Sequence, residues 1–411
     1  MLYHLHELNR SLLDPLMQWA EASSRLFSDP VSPLSYTPYA HRIAAGYELM
    51  YRLGKQYEKP HFGIESVQIN GKSVSIVEEV AEEKSFCTLL HFKKAISAKE
   101  FSALKQPTVL LVAPLSGHHA TLLRDTVRSL LQTHDVYITD WVNARMVPLS
   151  EGPFHLHDYV YYIQDFIRQL GPDLHVISVC QPTVPVLAAI SLMASDKDPK
   201  LPKTMTMMGG PIDPSSSPTQ VNNLAVEKPY AWFENHVIYS VPASHPGFGR
   251  KVYPGFLQHA GFIAMNPGRH AQSHWDFYMH LREGDNESAA EHRKFYDEYN
   301  AVLDMPAEYY LDTIKTVFQE HRLPLGTWEV EGELVRPQDI KSVALFTIEG
   351  EKDDISGAGQ THAAQGLCSS IPKSDKQQFT APQCGHYGIF SGRKWREIIY
   401  PKITDFIAKH A

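Results

Sequence analysis

One cysteine stands where a nucleophile would. In "LHVISVCQPTVPVLAAISLM", residues 174–193, an apolar and largely β-branched run gives way to a helical one at Cys180. Leu174–Val179 reads as a buried strand and Pro185–Met193 as a helix packed on a core. A side chain carried on a sharp strand-to-helix turn is exposed at the top of a sheet, which is where acyl-transfer chemistry places its attacking atom. The turn also opens a helix, whose unpaired N–H groups favour a thiolate. The plain alternative is a structural cysteine, since a free thiol behaves as a small hydrophobe. The usual G-x-S-x-G pattern is altered here: Ser178 replaces the first glycine and is small enough to do so, while Pro182 follows two residues after Cys180. Pro182 and Pro185 fall in the first helical turn, where a missing N–H costs nothing.

A thiol needs a base, and the base needs an orienting acid. His386, in "PQCGHYGIF", follows the last strand-like run and precedes the closing helix. Asp353 and Asp354, in "EGEKDDISG", follow an earlier one. The order nucleophile, acid, histidine is that of the α/β-hydrolase triad. Asp353, three residues past Gly350, is favoured as the acid over Asp354, and the choice stays open by one position. An oxyanion hole requires two backbone donors. The N–H of Gln181, next to the nucleophile, is one candidate; Ser116, in the Leu115-Ser116-Gly117 loop after "LLVAP", is the other. His118-His119 would line that mouth. As metal ligands they are weak, as are the pairs His4/His6 and His155/His157, for want of a third acidic or thiol ligand at useful spacing.

The elements that must carry these residues alternate. "TVLLVAPL", "DVYITDW", "LHVISVC", "TMTMMGG", "SVALFTIEG" and "QQFTAP" read as strands, most of them separated by helical runs. That rhythm predicts an α/β class with a mainly parallel central sheet flanked by helices. "SVQINGKSVSIV" is a hairpin with Asn70-Gly71 at its turn, and "FCTLLHF" a further strand. After Gly210 the rhythm stops for a long aromatic-rich stretch that includes Trp232, Phe233, Tyr253, Phe262, Trp275 and Trp328, read here as an inserted helical cap. The resulting division is 1–60 for two amphipathic N-terminal helices, 61–214 and 331–411 for the two parts of an α/β-hydrolase core, and 215–330 for the cap.

Composition excludes other classes. With 20% charged residues, a net charge of -8 and no dense Lys/Arg run, the chain is not expected to bind nucleic acid. Its four cysteines are scattered and form no C-x-x-C pair, so neither a disulfide framework nor a zinc knuckle is indicated. No window approaches about 18 apolar residues, and the start lacks the apolar stretch of a signal peptide, so a cytoplasmic, reducing setting is expected.

The segments "ISVCQPTVPVLAA", "MGGPIDPSSSPTQVNNLA", "GEKDDISGAGQT" and "APQCGHYGIFSGRKW" resemble those of an intracellular poly(3-hydroxybutyrate) depolymerase, and the resemblance extends over most of the chain, N-terminal helices included. It implies an α/β-hydrolase with a Cys-Asp-His triad on Cys180, Asp353 and His386. It also implies hydrolysis of stored, amorphous poly(3-hydroxybutyrate) granules to 3-hydroxybutyrate monomers or oligomers. No metal or organic cofactor is implied; the partner would be the granule surface in the cytoplasm, and a homodimer is compatible with it. Three rivals remain: a polyhydroxyalkanoate synthase-like acyltransferase, a hydrolase of small esters or thioesters, and a non-catalytic granule-associated protein. The synthases usually carry glycine two residues either side of the cysteine, where this chain has Ser178 and Pro182.

Overall fold

The architecture is taken from a computed structural model that describes residues 2–411; Met1 lies outside the described residues. Fourteen strands are present among the described residues: β1 (Ser66–Ile69), β2 (Lys72–Lys84), β3 (Cys87–Lys94), β4 (Thr108–Val112), β5 (Asp135–Trp141), β6 (Leu174–Val179), β7 (Thr204–Met208), β8 (Tyr239–Ser240), β9 (Lys251–Tyr253), β10 (Met305–Pro306), β11 (Glu329–Val330), β12 (Glu333–Leu334), β13 (Ala344–Gly350) and β14 (Lys376–Ala381). Nine of them form one sheet in the order β1-β2-β3-β5-β4-β6-β7-β13-β14. From β5 to β14 every neighbouring pair is parallel, while β1, β2 and β3 add on antiparallel. Apart from the edge strand β14, the parallel strands are buried on both faces, which is why "LHVISV" and "TMTMM" read as continuous rather than alternating apolar runs. At the β1–β2 turn Asn70 and Gly71 both take positive φ, 50° and 76°, as a tight hairpin of the matching twist requires. This is the α/β-hydrolase fold.

Helices cover both faces of the sheet. The core carries α3 (Ala98–Leu104), α4 (Arg124–Leu130), α5 (Leu156–Leu170) and α6 (Thr183–Ser195), after α1 (Leu2–Ser28) and α2 (Ala40–Gly54) at the N-terminus. In α6 every residue from Thr183 to Met193 is buried, as a helix apolar on all sides must be. It anchors the turn that carries Cys180.

Between β7 and β13 lies the insertion: α7 (Gln220–Glu227), α8 (Tyr230–His236), α9 (Gly255–Met265), α10 (Pro267–Glu283), α11 (Asn286–Tyr299) and α12 (Ala307–Thr313). It is not purely helical, because β8, β9 and β10 form a three-stranded antiparallel sheet within it and β11–β12 a hairpin. These strands are two or three residues long, too short for periodicity to reveal them. The chain closes with α13 (Ala363–Leu367), α14 (Gly392–Lys394) and α15 (Tyr400–His410).

The N-terminal helices pack on the cap. Tyr3 Oη donates to Asp304 Oδ2 at 2.5 Å, His6 stacks on Phe256 at 4.0 Å, Arg52 pairs with Asp297 at 2.8 Å and Arg293 with Glu48 at 2.6 Å. The side of α1 turned inward is built of Tyr3, Met17, Ala20, Ser23 and Ser24, whereas Leu5, Leu8, Leu12, Leu16 and Trp19 are exposed. An apolar stripe at helical spacing usually marks the buried side; here the stripe faces outward. No helix among the described residues is long and apolar enough to cross a membrane.

Candidate active site

The turn after β6 is strained in the way a displayed nucleophile requires. Cys180 has φ 68°, a left-handed conformation that non-glycine residues rarely adopt and that persists only when its surroundings enforce it. Its N–H donates to Met208 O on the neighbouring strand at 2.7 Å, and Thr183 N donates back to Cys180 O at 3.1 Å. Two glycines after β7 leave the room. A Cβ on Gly210 would collide with Thr183 Oγ1 and the Cys180 carbonyl, and one on Gly209 would lie 2.5 Å from Ile389 Cδ1 and 3.4 Å from His386 Cε1. Gly209 also needs its positive φ of 57°. The "GGP" in the sequence is therefore part of the site's geometry.

His386 begins a short helical turn after β14 and is 5% exposed. Its Nδ1 lies 2.8 Å from Asp353 Oδ2. The other carboxylate oxygen, Oδ1, accepts from the backbone N–H groups of Ile355 and Ser356, both at 2.9 Å. Asp354 is exposed and makes no such bond with His386. Of the two adjacent aspartates, Asp353 is the one brought to the imidazole. Burial works against a charge on His386, but the Cys180 sulfur and the Asp353 carboxylate outweigh it and hold the imidazole well above the ordinary histidine range. With Nδ1 taken by Asp353, Nε2 is the nitrogen left for the sulfur.

Cys180 differs from the other three thiols. Cys87, Cys368 and Cys384 are buried, while Cys180 is partly exposed and lines a cavity. Burial pushes the thiol of Cys368 up to about 12, and raises those of Cys87 and Cys384 too. Among the described residues, only the Cys180 thiol opens onto the cavity.

The two candidate oxyanion donors reach the same cavity. Gln181 and Ser116 both line it, and neither N–H donates to a backbone carbonyl among the described residues. The loop holding Ser116 is clamped by the insertion: Leu303 N donates to Gly117 O at 2.7 Å, and His118 pairs with Val302. At Gly117 φ is 109°, and a Cβ would meet Gln258 Oε1 at 2.7 Å and Phe262 at 3.2 Å, so α9 presses directly on this loop. His118 also lines the cavity, stacked on Phe262 at 4.9 Å, with Nε2 3.2 Å from Tyr299 O; burial takes it down to about 4, so it stays neutral.

The cavity encloses about 760 Å³ and joins Cys180 and His386 to the insertion. Its walls are mainly apolar and aromatic, and Phe233, Tyr253, Phe262, Tyr309, Tyr310 and Phe318 come from the insertion. Phe277 and Trp328 instead pack inside the protein, and Phe248 and Trp275 lie on the surface. The sequence reading passed over Tyr309, which sits in "AEYYLD" without any motif around it.

His155 and His157 do meet an acidic group. Asp312, from α12, lies within 4.8 Å of both, and its Oδ2 takes His155 Nδ1 at 2.8 Å and Leu156 N at 3.3 Å. Sequence spacing could not supply this residue, which lies over 150 positions away. The His155 and His157 rings stack in parallel at 5.0 Å, so their in-plane lone pairs do not converge on one point. Asp312 is accounted for as a carboxylate at the N-terminus of α5, where it satisfies a free N–H and fastens the insertion to the core.

Comparison with known proteins bears on the same regions. The family described as PHB de-polymerase C-terminus matches residues 209–411, the part that holds the insertion, Asp353 and His386. No curated protein matches the chain. Among solved structures, the 2-hydroxy-6-oxo-6-phenylhexa-2,4-dienoate hydrolase of Rhodococcus sp. strain RHA1 is 12% identical, with a TM-score of 0.44, over 82% of this chain and 99% of that one. A putative lipase of Acinetobacter baumannii AYE is 11% identical, with a TM-score of 0.46, over 81% and 93%. A monoacylglycerol lipase of Paleococcus ferrophilus is 14% identical, with a TM-score of 0.43, over 74% and 96%. This chain is an ester-bond hydrolase of α/β-hydrolase fold, and its residues 209–411 match the family described as PHB de-polymerase C-terminus.

Proposed function

We propose that the chain hydrolyses the ester bonds of poly(3-hydroxybutyrate) through a Cys180-His386-Asp353 triad and an acyl-cysteine intermediate. The observation that carries this reading is Cys180 held at φ 68° on the rim of an aromatic cavity that the Asp353-paired His386 also lines, in a chain whose residues 209–411 match the PHB de-polymerase C-terminus family. His386, which holds a proton more tightly than an ordinary histidine, takes the proton of the Cys180 thiol as the sulfur attacks. The sulfur attacks the ester carbonyl carbon, and the developing oxyanion takes the N–H groups of Gln181 and Ser116. The C–O bond breaks, the departing 3-hydroxyl end of the polymer takes the proton from His386, and a thioester remains on Cys180. Neutral His386 then removes a proton from water, whose oxygen attacks the thioester; the acid leaves and Cys180 and His386 are restored. Asp353 fixes the imidazole tautomer and stabilises its charged form.

A water-insoluble polyester offers no charge to grip, so contact with it rests on apolar surface. The exposed Leu5, Leu8, Leu12, Leu16 and Trp19 of α1 form an uncharged stripe on a helix fastened to the cavity-forming insertion by the Tyr3–Asp304 and His6–Phe256 contacts. We assign this stripe to adsorption on the granule surface.

The test is incubation with native amorphous granules, with and without CoA, followed by product identification. Wild type should release 3-hydroxybutyrate or its short oligomers without CoA, and Cys180→Ala should release none. Product formed only as a CoA thioester would favour the acyltransferase, and full biological effect from Cys180→Ala would favour a granule-coating protein.

A further inference from the structure

Native proteins leave few buried polar groups unpaired, and each one calls for an explanation. Next to Cys180 such groups are concentrated. Gln181 Oε1 and Nε2 and the Tyr309 hydroxyl are all buried without a partner among the described residues. Gln181 is 7% exposed and Tyr309 1%. Both line the cavity beside Cys180, with the Tyr309 hydroxyl and the Gln181 amide near each other but not closed into a hydrogen bond.

The Tyr309 ring and the Gln181 backbone are both held in place. The Tyr309 ring stacks on Tyr159 at 5.6 Å and packs on Phe154 at 6.0 Å, and α12 is fastened to α5 through Asp312. Gln181 follows the strained residue directly, so its backbone is fixed by the same turn. Burial keeps the Tyr309 phenol protonated and therefore a donor. Several other polar side chains of the cavity are engaged: His118 with Tyr299 O, Asn222 Oδ1 with Thr219 and Gln360, and the Gln258 amide nitrogen with Tyr253 O and Leu303 O. Gln258 Oε1 is unpaired too, but it is an acceptor and abuts Gly117. Gln181 Nε2 and Tyr309 Oη are two buried donors that line the cavity beside Cys180 and are left unpaired among the described residues.

A free donor pair fits an oxygen on the substrate that is not the reacting carbonyl, whose oxyanion is served by backbone N–H groups. We infer that the Gln181 amide and the Tyr309 hydroxyl form a subsite that hydrogen-bonds an oxygen on the third carbon of the acyl group transferred to Cys180. That oxygen is the hydroxyl of a terminal 3-hydroxyacyl unit or the ester oxygen of a longer chain. The inference rests on the ester hydrolysis proposed above and adds to it a basis for choosing 3-oxygenated acyl groups over plain fatty acyl groups. Sites built to hydrogen-bond a substrate oxygen reject analogues without it, because the protein's own polar groups are then left unpaired.

The experiment compares kcat/KM of the full chain for p-nitrophenyl 3-hydroxybutyrate and p-nitrophenyl butyrate, which differ only in that oxygen. Wild type should prefer the hydroxylated ester by about tenfold to a hundredfold. Tyr309→Phe keeps the ring and its stacking, and should lower the preference to within about threefold of unity, the loss falling on the hydroxylated ester. Gln181→Met, which retains the backbone donor, should move the ratio the same way and serves if Tyr309→Phe proves unstable to heat. No preference in wild type, or a ratio unmoved in both variants, overturns the subsite while leaving ester hydrolysis standing. Failure of folded wild type to cleave either ester overturns both.

Discussion

The core wall and the insertion wall of the cavity follow different rules. On the core side the acid is fully committed: Asp353 spends one oxygen on two backbone N–H groups and the other on His386. The proposed nucleophile, Cys180, is held by a backbone bond to the next strand, and two glycines after β7 leave room only for the atoms already there. On the insertion side Tyr309 keeps its hydroxyl unpaired, and most of the remaining lining is aromatic or aliphatic. The difference separates chemistry from recognition. Groups that move a proton are preorganised before substrate arrives, so no reorganisation is required during reaction. Groups that choose the substrate stay unsatisfied until it comes. The insertion also reaches the chemistry, since Leu303 and α9 shape the loop that holds Ser116.

Changes on the core side should cost most and should not depend on the substrate. Cys180→Ala or His386→Ala is expected to lower kcat by about 10⁴- to 10⁶-fold on both a soluble ester and the polymer. Asp353→Asn should cost about 10³- to 10⁴-fold, with a pH signature as well. The Asp353 charge raises the His386 pKa, and the imidazolium that protonates the leaving group is lost as pH rises through it. Removing the charge lowers that pKa, so the alkaline limb of the kcat/KM profile should move to lower pH. An unmoved limb would mean that Asp353 does not act on His386.

Gly209→Ala tests whether the core side depends on close packing. The new methyl meets Ile389 and the His386–Asp353 pair at a position with positive φ, and a displacement of the imidazole by a fraction of an ångström should cost up to about 10²-fold in kcat. If activity stays at the wild-type level with the fold intact, the triad tolerates far more slack than this account allows. The outer surface should behave oppositely. Replacing Leu5, Leu12 and Leu16 of α1 with Ser removes apolar contact from exposed positions, and granule hydrolysis should fall by about tenfold while soluble-ester cleavage is retained. Equal losses on both substrates would show that the stripe serves only folding. Asp354→Asn is the smallest expected effect, within about threefold, because an exposed charge is largely screened.

What the sequence made legible follows the same division. Most strands of the parallel sheet announce themselves because burial on both faces leaves continuous apolar runs, and β6, β7 and β13 lie where those runs predict; β14, an edge strand of mixed and largely exposed residues, lies at the run 377–382. Cys180, Asp353 and His386 were candidates by their stations in that order, and the structure pairs Asp353 with His386 and puts Cys180 and His386 on one cavity. The choice between Asp353 and Asp354 needed coordinates, because adjacent residues share a loop and differ only in where their side chains turn. Tyr309 and Asp312 had no station to betray them. They lie in short α12, where local spacing carries no signal of the core residues they meet across the fold. The outward stripe of α1 shows a different limit: helical periodicity identifies an apolar face but not what covers it.

The most direct test of the central claim is to look for the intermediate itself. Wild type and Cys180→Ala would be mixed with a soluble 3-hydroxybutyrate ester oligomer, quenched in acid during turnover, and analysed as intact proteins and as peptides by mass spectrometry. The account predicts an added acyl group on wild type, lost on treatment with hydroxylamine and located on the peptide containing Cys180, with none on Cys180→Ala. An acyl group on Ser116 or on another cysteine, or turnover by Cys180→Ala at the wild-type rate, would contradict it.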